Sequence, residues 1–376
     1  MNMTRRMALF LLASLDVPRK SSGQPVSRGT VAFYYGAAFD TSAVDWYTRF
    51  AILVTGGFLG PEESSMLMDR GCQLLAYEWS SAFYPDDPVS ADAAWQTEAL
   101  NHASTWLLNT EPVGGGAATP GRAAFWYDFA DPELRAARAA HLAARVSASG
   151  YAGLFLDTLG FEHLPPDLGA VFAARHPGAD YNQEQASFLE ALRTALGPDQ
   201  ILFLNQGYRH SELFLPYADF DLTESFFVGV SATGEVYFRP WYNPADPWNS
   251  ILTPMEQLVV PASGQFPHVR FVHLGHAAAT DVNTRAIRYN YAAARLWNHR
   301  AYLVAPSPAA EQDDVYFADL GRPLAAAFSQ DPTDGIAWRE FEGGVVALNT
   351  GSSTASIMGG RYQLTDPPRG YVFLDE

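Results

Sequence analysis

Short apolar runs alternate with longer amphipathic stretches from about Arg28 to Ser307. Eight runs stand out: Val31–Tyr35, Phe50–Thr55, Gln73–Tyr77, Gly153–Asp157, Ile201–Asn205, Asp221–Ser225, Val269–Leu274 and Ala301–Ala305. Each is short and rich in β-branched or aromatic residues, as parallel strands covered on both faces are. The intervening stretches carry helix signals. Pro61-Glu62-Glu63 opens one helix, with proline in the first turn and acids against the helix dipole, and Gly71 closes it. Asp131-Pro132-Glu133 opens a second that stops at Gly150, and Tyr181–Leu196 and Asn283–Asn298 fit the same pattern. Strands alternating with helices in this number predict a (β/α)8 TIM barrel, an α/β fold. A doubly wound open sheet is the rival, although no Gly-x-Gly-x-x-Gly turn follows the first strand.

After Ser307 the texture changes. Gly335–Asn349 alternates apolar and polar residues around Gly343-Gly344 and predicts a β-hairpin, with Ala355–Ile357 and Tyr371–Leu374 as further strands. The expected organisation is therefore a barrel over 28–308 and a small C-terminal β-rich appendage over 309–376. Residues 1–27 read as a leader-like or flexible segment, because Arg5-Arg6 precedes the apolar run Met7–Leu15. Secretion or a periplasmic location is the expectation from that run, and a cytoplasmic protein the alternative. No other segment approaches a membrane span.

Composition narrows the partner. Hydrophobic residues make up 48% of the 376 and charged residues 17%, enough for a large core. The net charge of −17 argues against nucleic acid, whose phosphates it would repel, and suits a neutral or cationic polymer. Cys72 is the single cysteine, which excludes an intrachain disulfide and a cysteine-based metal site. No cofactor motif is present.

On this fold, active sites gather where strands end. Two strand ends deliver carboxylates, Asp157 and Glu224, the equipment a glycosidase needs. We assign Asp157 as nucleophile and Glu224 as acid/base, since Phe226 and Phe227 beside Glu224 would raise its pKa. Either acid could instead be a buried partner of an arginine. Tyr35, Glu78, Trp79, Asn205 and Gln206 stand at other strand ends and are expected to bind substrate. Asp128, after Phe125-Trp126-Tyr127, is expected to orient a sugar hydroxyl, with a loop cap as the alternative. Trp241 and Tyr242 lie in a long proline-stiffened loop and are expected to stack on sugar rings, with a hydrophobic plug as the alternative. His273 joins the substrate-binding set. With His276 it could also ligate zinc, but no third ligand stands out, so no metal is expected.

Ser149-Gly-Tyr-Ala-Gly-Leu-Phe-Leu-Asp157-Thr resembles the strand motif of glycoside hydrolase family 114, the endo-α-1,4-polygalactosaminidase-like barrels. Trp126-Tyr-Asp128 with Asp131-Pro132, and the positions of Asn205 and Glu224, resemble that family too. The tail, Leu320–Pro323 and Trp338–Asn349, is similar to the C-terminal strands of glycosyl hydrolases of unassigned substrate. Ala152 and Thr158 stand where the family's motif usually has an acidic residue and an asparagine. The resemblance implies a retaining glycosidase acting on a polysaccharide or oligosaccharide, with an amino sugar as one option. A catalytically silent glycan-binding barrel is the alternative.

Overall fold

The computed structural model describes residues 29–36, 39–87, 92–114, 122–277, 283–365 and 367–375. The leader-like segment 1–27 lies outside them. Eight strands form one all-parallel sheet: β1 (Gly29–Tyr34), β2 (Phe50–Thr55), β3 (Gln73–Trp79), β4 (Gly153–Asp157), β5 (Ile201–Asn205), β6 (Phe220–Glu224), β7 (Arg270–His276) and β8 (Arg300–Val304). Their order in space follows their order in sequence, and β8 returns to lie beside β1. A doubly wound sheet would reverse its strand order at a switch point. None occurs here, so the barrel holds and the open-sheet rival falls.

Helices cover the sheet: α1 (Pro61–Met68), α2 (Pro132–Ser149), α3 (Pro166–Arg175), α4 (Tyr181–Leu196) and α5 (Asn283–Leu296). Their ends follow the sequence signals. The Asp131 carboxylate accepts the N–H groups of Glu133 and Leu134 at 2.7 and 3.2 Å, and Gly150, at φ +71°, ends α2 in the left-handed conformation. Asp180 caps α4 in the same way through Asn182 N–H at 2.8 Å.

The barrel interior is aromatic. Phe33 of β1 reaches across to Phe155 of β4 and Phe203 of β5, with ring centres 5.8 and 5.9 Å away, and also meets Tyr302 of β8. Side chains in a strand alternate between faces. Residues two places beyond this aromatic layer therefore also point inward, one level nearer the open end of the barrel.

The tail forms an antiparallel sheet of β9 (Ser329–Asp331), β10 (Ile336–Phe341), β11 (Gly344–Asn349) and β12 (Arg369–Leu374). The hairpin expected around Gly343-Gly344 is present, with Phe341 opposite Gly344 and Ile336 opposite Asn349. A smaller hairpin pairs Ala355–Ile357 with Tyr362–Leu364. The sheet packs on α5. Arg339 donates to the Leu296 carbonyl at the end of that helix at 2.7 Å. Gly370 permits the approach, because a Cβ there would sit 2.1 Å from Arg288 O.

Here the expectation for Trp241 is overturned. It is wholly buried, stacked on Trp297 at 5.4 Å and edge-on to Phe328 at 5.5 Å. Its Nε1 donates to Gln330 at 2.9 Å and its backbone N–H to Thr350 Oγ1 at 3.0 Å. The ring is a plug that ties this part of the loop after β6 to the C-terminal sheet. Tyr242, next along the loop, is 44% exposed and is not among the residues lining the barrel-mouth pocket. Trp241→Ala should cost about 3–5 kcal/mol of stability, read as a lowered denaturation midpoint, while glycan affinity stays unchanged.

Candidate active site

One repeat above the aromatic layer, the strand ends converge. Phe155 is followed two residues on by Asp157, Phe203 by Asn205, Leu222 by Glu224, Phe33 by Tyr35 and Leu274 by His276. These residues, with Tyr77, Trp79 and Gln206, line a pocket of about 510 Å³ at the C-terminal ends of the strands. Gly56, Asp87, Arg122, His163 and Ser225 complete its wall. Active sites on this fold occupy that end. A second cavity, about 340 Å³, lies at the opposite end around Thr30, Arg300 and Phe317. It collects no carboxylate pair.

Asn205 organises the centre. Its Nδ2 donates to Asp157 Oδ1 at 2.8 Å and to Glu224 Oε2 at 2.9 Å. Sharing one nitrogen keeps those two oxygens no more than about 5.7 Å apart. Asp157 is held by two further donors: the Tyr77 hydroxyl bonds to Oδ2, and the Thr158 N–H reaches Oδ1 at 2.7 Å. Neither acid pairs with an arginine among the described residues. The structural-partner alternative for them is therefore not what the geometry gives.

Burial and the neighbouring Asp157 charge push the Glu224 carboxyl up to about 7, against a smaller opposite pull from the Asn205 hydrogen bond. His276 Nε2 lies 3.4 Å from Glu224 Oε1, and its Nδ1 meets Ser225 Oγ at 3.0 Å. Burial depresses His276 to about 4, so the ring is neutral at pH 7 and supplies no positive charge to Glu224. Burial, reinforced by the two carboxylates, raises the Tyr35 and Tyr77 phenols well above their usual range, so both remain donors.

Trp79 is fixed as a partly exposed wall. Its Nε1 donates to Asp87 Oδ2 at 2.7 Å, and Arg122 grips Asp87 Oδ1 at 3.1 Å. The ring stands edge-on to Tyr77 at 5.0 Å. Three non-glycine residues at this rim adopt left-handed backbone, each directly after a functional strand end: Thr158 (φ 59°), Gln206 (φ 62°) and Ser225 (φ 52°).

Three expected substrate contacts lie elsewhere. Glu78 is buried and points outward between Tyr77 and Trp79, where it pairs with Arg138 at 2.9 Å and Arg145 at 2.8 Å on α2. Asp128 is buried against Arg175 at 3.4 Å and His176 at 2.9 Å, at the end of α3 and away from the pocket. His273 also faces outward. Its Nδ1 meets Thr223 Oγ1 at 2.5 Å, its Nε2 meets His299 Nδ1 at 2.9 Å, and Phe227 stacks on it at 4.5 Å. His273 and His276 sit on opposite faces of β7 and do not converge. Among the described residues no three side chains form a metal-binding group, and no helix is long and apolar enough to cross a membrane.

Tyr77 and His276 were not assigned to the substrate-binding set. Both could have been found by counting in twos, from Trp79 and Leu274. Asp87 and Arg122 come from the excursion between β3 and α2, and no local sequence signal marks them.

No family model and no curated protein matches this chain. Among solved structures, the glycoside hydrolase domain of PelA from Pseudomonas aeruginosa is 21% identical, over 74% of this chain and 95% of that one, with a TM-score of 0.50. A variant of that domain gives the same values. Ega3 from Aspergillus fumigatus, solved with galactosamine, is 12% identical over 68% of this chain and 81% of that one; at a TM-score of 0.39 the likeness carries no argument. What the chain shares with the PelA domain is the barrel fold.

Proposed function

We propose that the protein is a retaining glycoside hydrolase that cleaves a polysaccharide, with Asp157 as nucleophile and Glu224 as acid/base. The observation that carries this reading is the single Asn205 nitrogen bonded to both carboxylates. The resulting ceiling of about 5.7 Å between those two oxygens supports the close spacing of a retaining pair, near 5–5.5 Å between carboxyl groups. The family 114 resemblance of the segment ending at Asp157 points the same way.

The electrostatics fit the two steps. Protonated Glu224 donates to the glycosidic oxygen as Asp157 Oδ attacks the anomeric carbon. The C–O bond to the leaving group breaks, and a glycosyl ester forms on Asp157. Esterification removes the Asp157 charge that helped raise Glu224. Glu224 then becomes a stronger acid, and its carboxylate is left to take a proton from the incoming water. Water releases the sugar and restores Asp157.

The pocket is rich in acceptors. Its floor holds the two carboxyls, and behind them the buried oxygens Asn205 Oδ1 and Gln206 Oε1 accept no hydrogen bond from the described residues. With a net charge of −17, this favours a substrate that brings donors and positive charge, such as a partly deacetylated amino-sugar polymer.

Reducing-end release from a panel of partly deacetylated amino-sugar and neutral polysaccharides tests the activity. Asp157→Asn and Glu224→Gln should each lower kcat by about 10²–10⁴-fold with binding preserved; wild-type turnover by either variant would remove the assignment. The first-formed product, followed by NMR, should keep the anomeric configuration of the cleaved bond, and inversion would exclude the nucleophile role. Activity should fall as pH rises through about 7, where Glu224 loses its proton. A rate independent of pH from 6 to 8 would contradict Glu224 as the acid. Binding of the cationic polymer should weaken with added salt.

A further inference from the structure

The turn after Asp157 is held from behind the barrel wall by one buried amide. Gln185 of α4 is fully buried. Its Nε2 donates to Ser80 Oγ at 3.0 Å and to Ser81 Oγ at 2.8 Å, and its Oε1 accepts the Gly160 N–H at 2.8 Å. Both amide hydrogens and the carbonyl are thus used, and they join the segments leaving β3 and β4. Those segments bracket the nucleophile's own backbone. Ser80 N–H donates to the Asp157 carbonyl at 2.8 Å, and Ser81 Oγ to the Thr158 carbonyl at 2.5 Å.

Thr158 is β-branched and sits at φ 59°, a conformation such a residue keeps only where its surroundings impose it. The Ser80 bond to the Asp157 carbonyl fixes the 157–158 peptide plane, which also carries the Thr158 N–H onto Asp157 Oδ1 at 2.7 Å. The Oδ1 atom carries Asn205 Nδ2 as well, so its direction is set by two donors. A carboxylate that attacks carbon must present one oxygen lone pair along a narrow approach, and small misplacements are costly.

We propose that Gln185 is a positioning residue for Asp157: through Ser80 and Ser81 it holds the peptide planes on either side of Thr158, and with them the Thr158 N–H against the attacking carboxylate. The inference rests on the reading of Asp157 as nucleophile. Gln185 touches no reacting atom. The position calls for an amide, because two donors and an acceptor are used on one side-chain end. Glutamate cannot donate there when ionised, and methionine matches the length with no hydrogen bonds.

The test reads the turn directly. The Thr158 amide resonance of the full chain is compared by NMR in the wild type, Gln185→Met and Ser81→Ala, beside kcat and KM on the polysaccharide that the wild type cleaves in the panel. In both variants the Thr158 amide proton should move upfield and exchange faster. Their kcat should fall by up to about 10²-fold with KM unchanged. A folded variant whose Thr158 resonance stays at the wild-type position overturns the proposal, whatever its kcat does. Ser81→Ala removes one hydroxyl only and decides the matter if Gln185→Met does not fold. Should the wild type cleave no polysaccharide, the hydrolase reading fails, while the amide resonance still reports whether Gln185 holds the turn.

Discussion

The alternation of side chains along the barrel strands is the constraint on which the site depends. Because Phe33, Phe155 and Phe203 must fill the barrel centre, the residues two places further on have only the open mouth to face. Tyr35, Asp157 and Asn205 are delivered there by the same packing that stabilises the fold. The intervening residues face the helix layer, and the chain uses them for structure. Asp221, one such residue, accepts the Gly207 and Tyr208 N–H groups at 2.7 and 3.0 Å and so anchors the turn after β5.

The two carboxyls are kept unequal by their surroundings. Asp157 receives three hydrogen bonds, from Tyr77, Asn205 and Thr158, all of them suited to an ionised oxygen. Glu224 has the Asn205 bond and a neutral histidine, and burial pushes its proton affinity up. Like charges at this spacing cannot both ionise cheaply. The donors gather on Asp157, while burial acts on Glu224.

Much of this was legible in the sequence. The eight apolar runs and the carboxylates ending two of them sufficed for the barrel and the central pair. The errors have physical causes. Glu78 and His273 sit one residue out of phase with the inward face, and a strand end read as a cluster hides that phase. Trp241 is a plug because the C-terminal sheet that captures it lies far along the chain, and no local pattern reports such a contact. The Gln185 link is a contact of the same long-range kind.

The left-handed residues Thr158, Gln206 and Ser225 have a bearing on how this protein can change. Each non-glycine residue in that conformation carries a local cost of about 1–3 kcal/mol. Among the described residues, three of the five non-glycine positions with this backbone stand at the pocket rim, the others being Asn298 and Met358. Selection for heat resistance alone would favour glycine at these three places, and with it a looser mouth. A lineage or an engineering campaign that drifts towards stability would therefore tend to erode the site first, with the barrel beneath it intact.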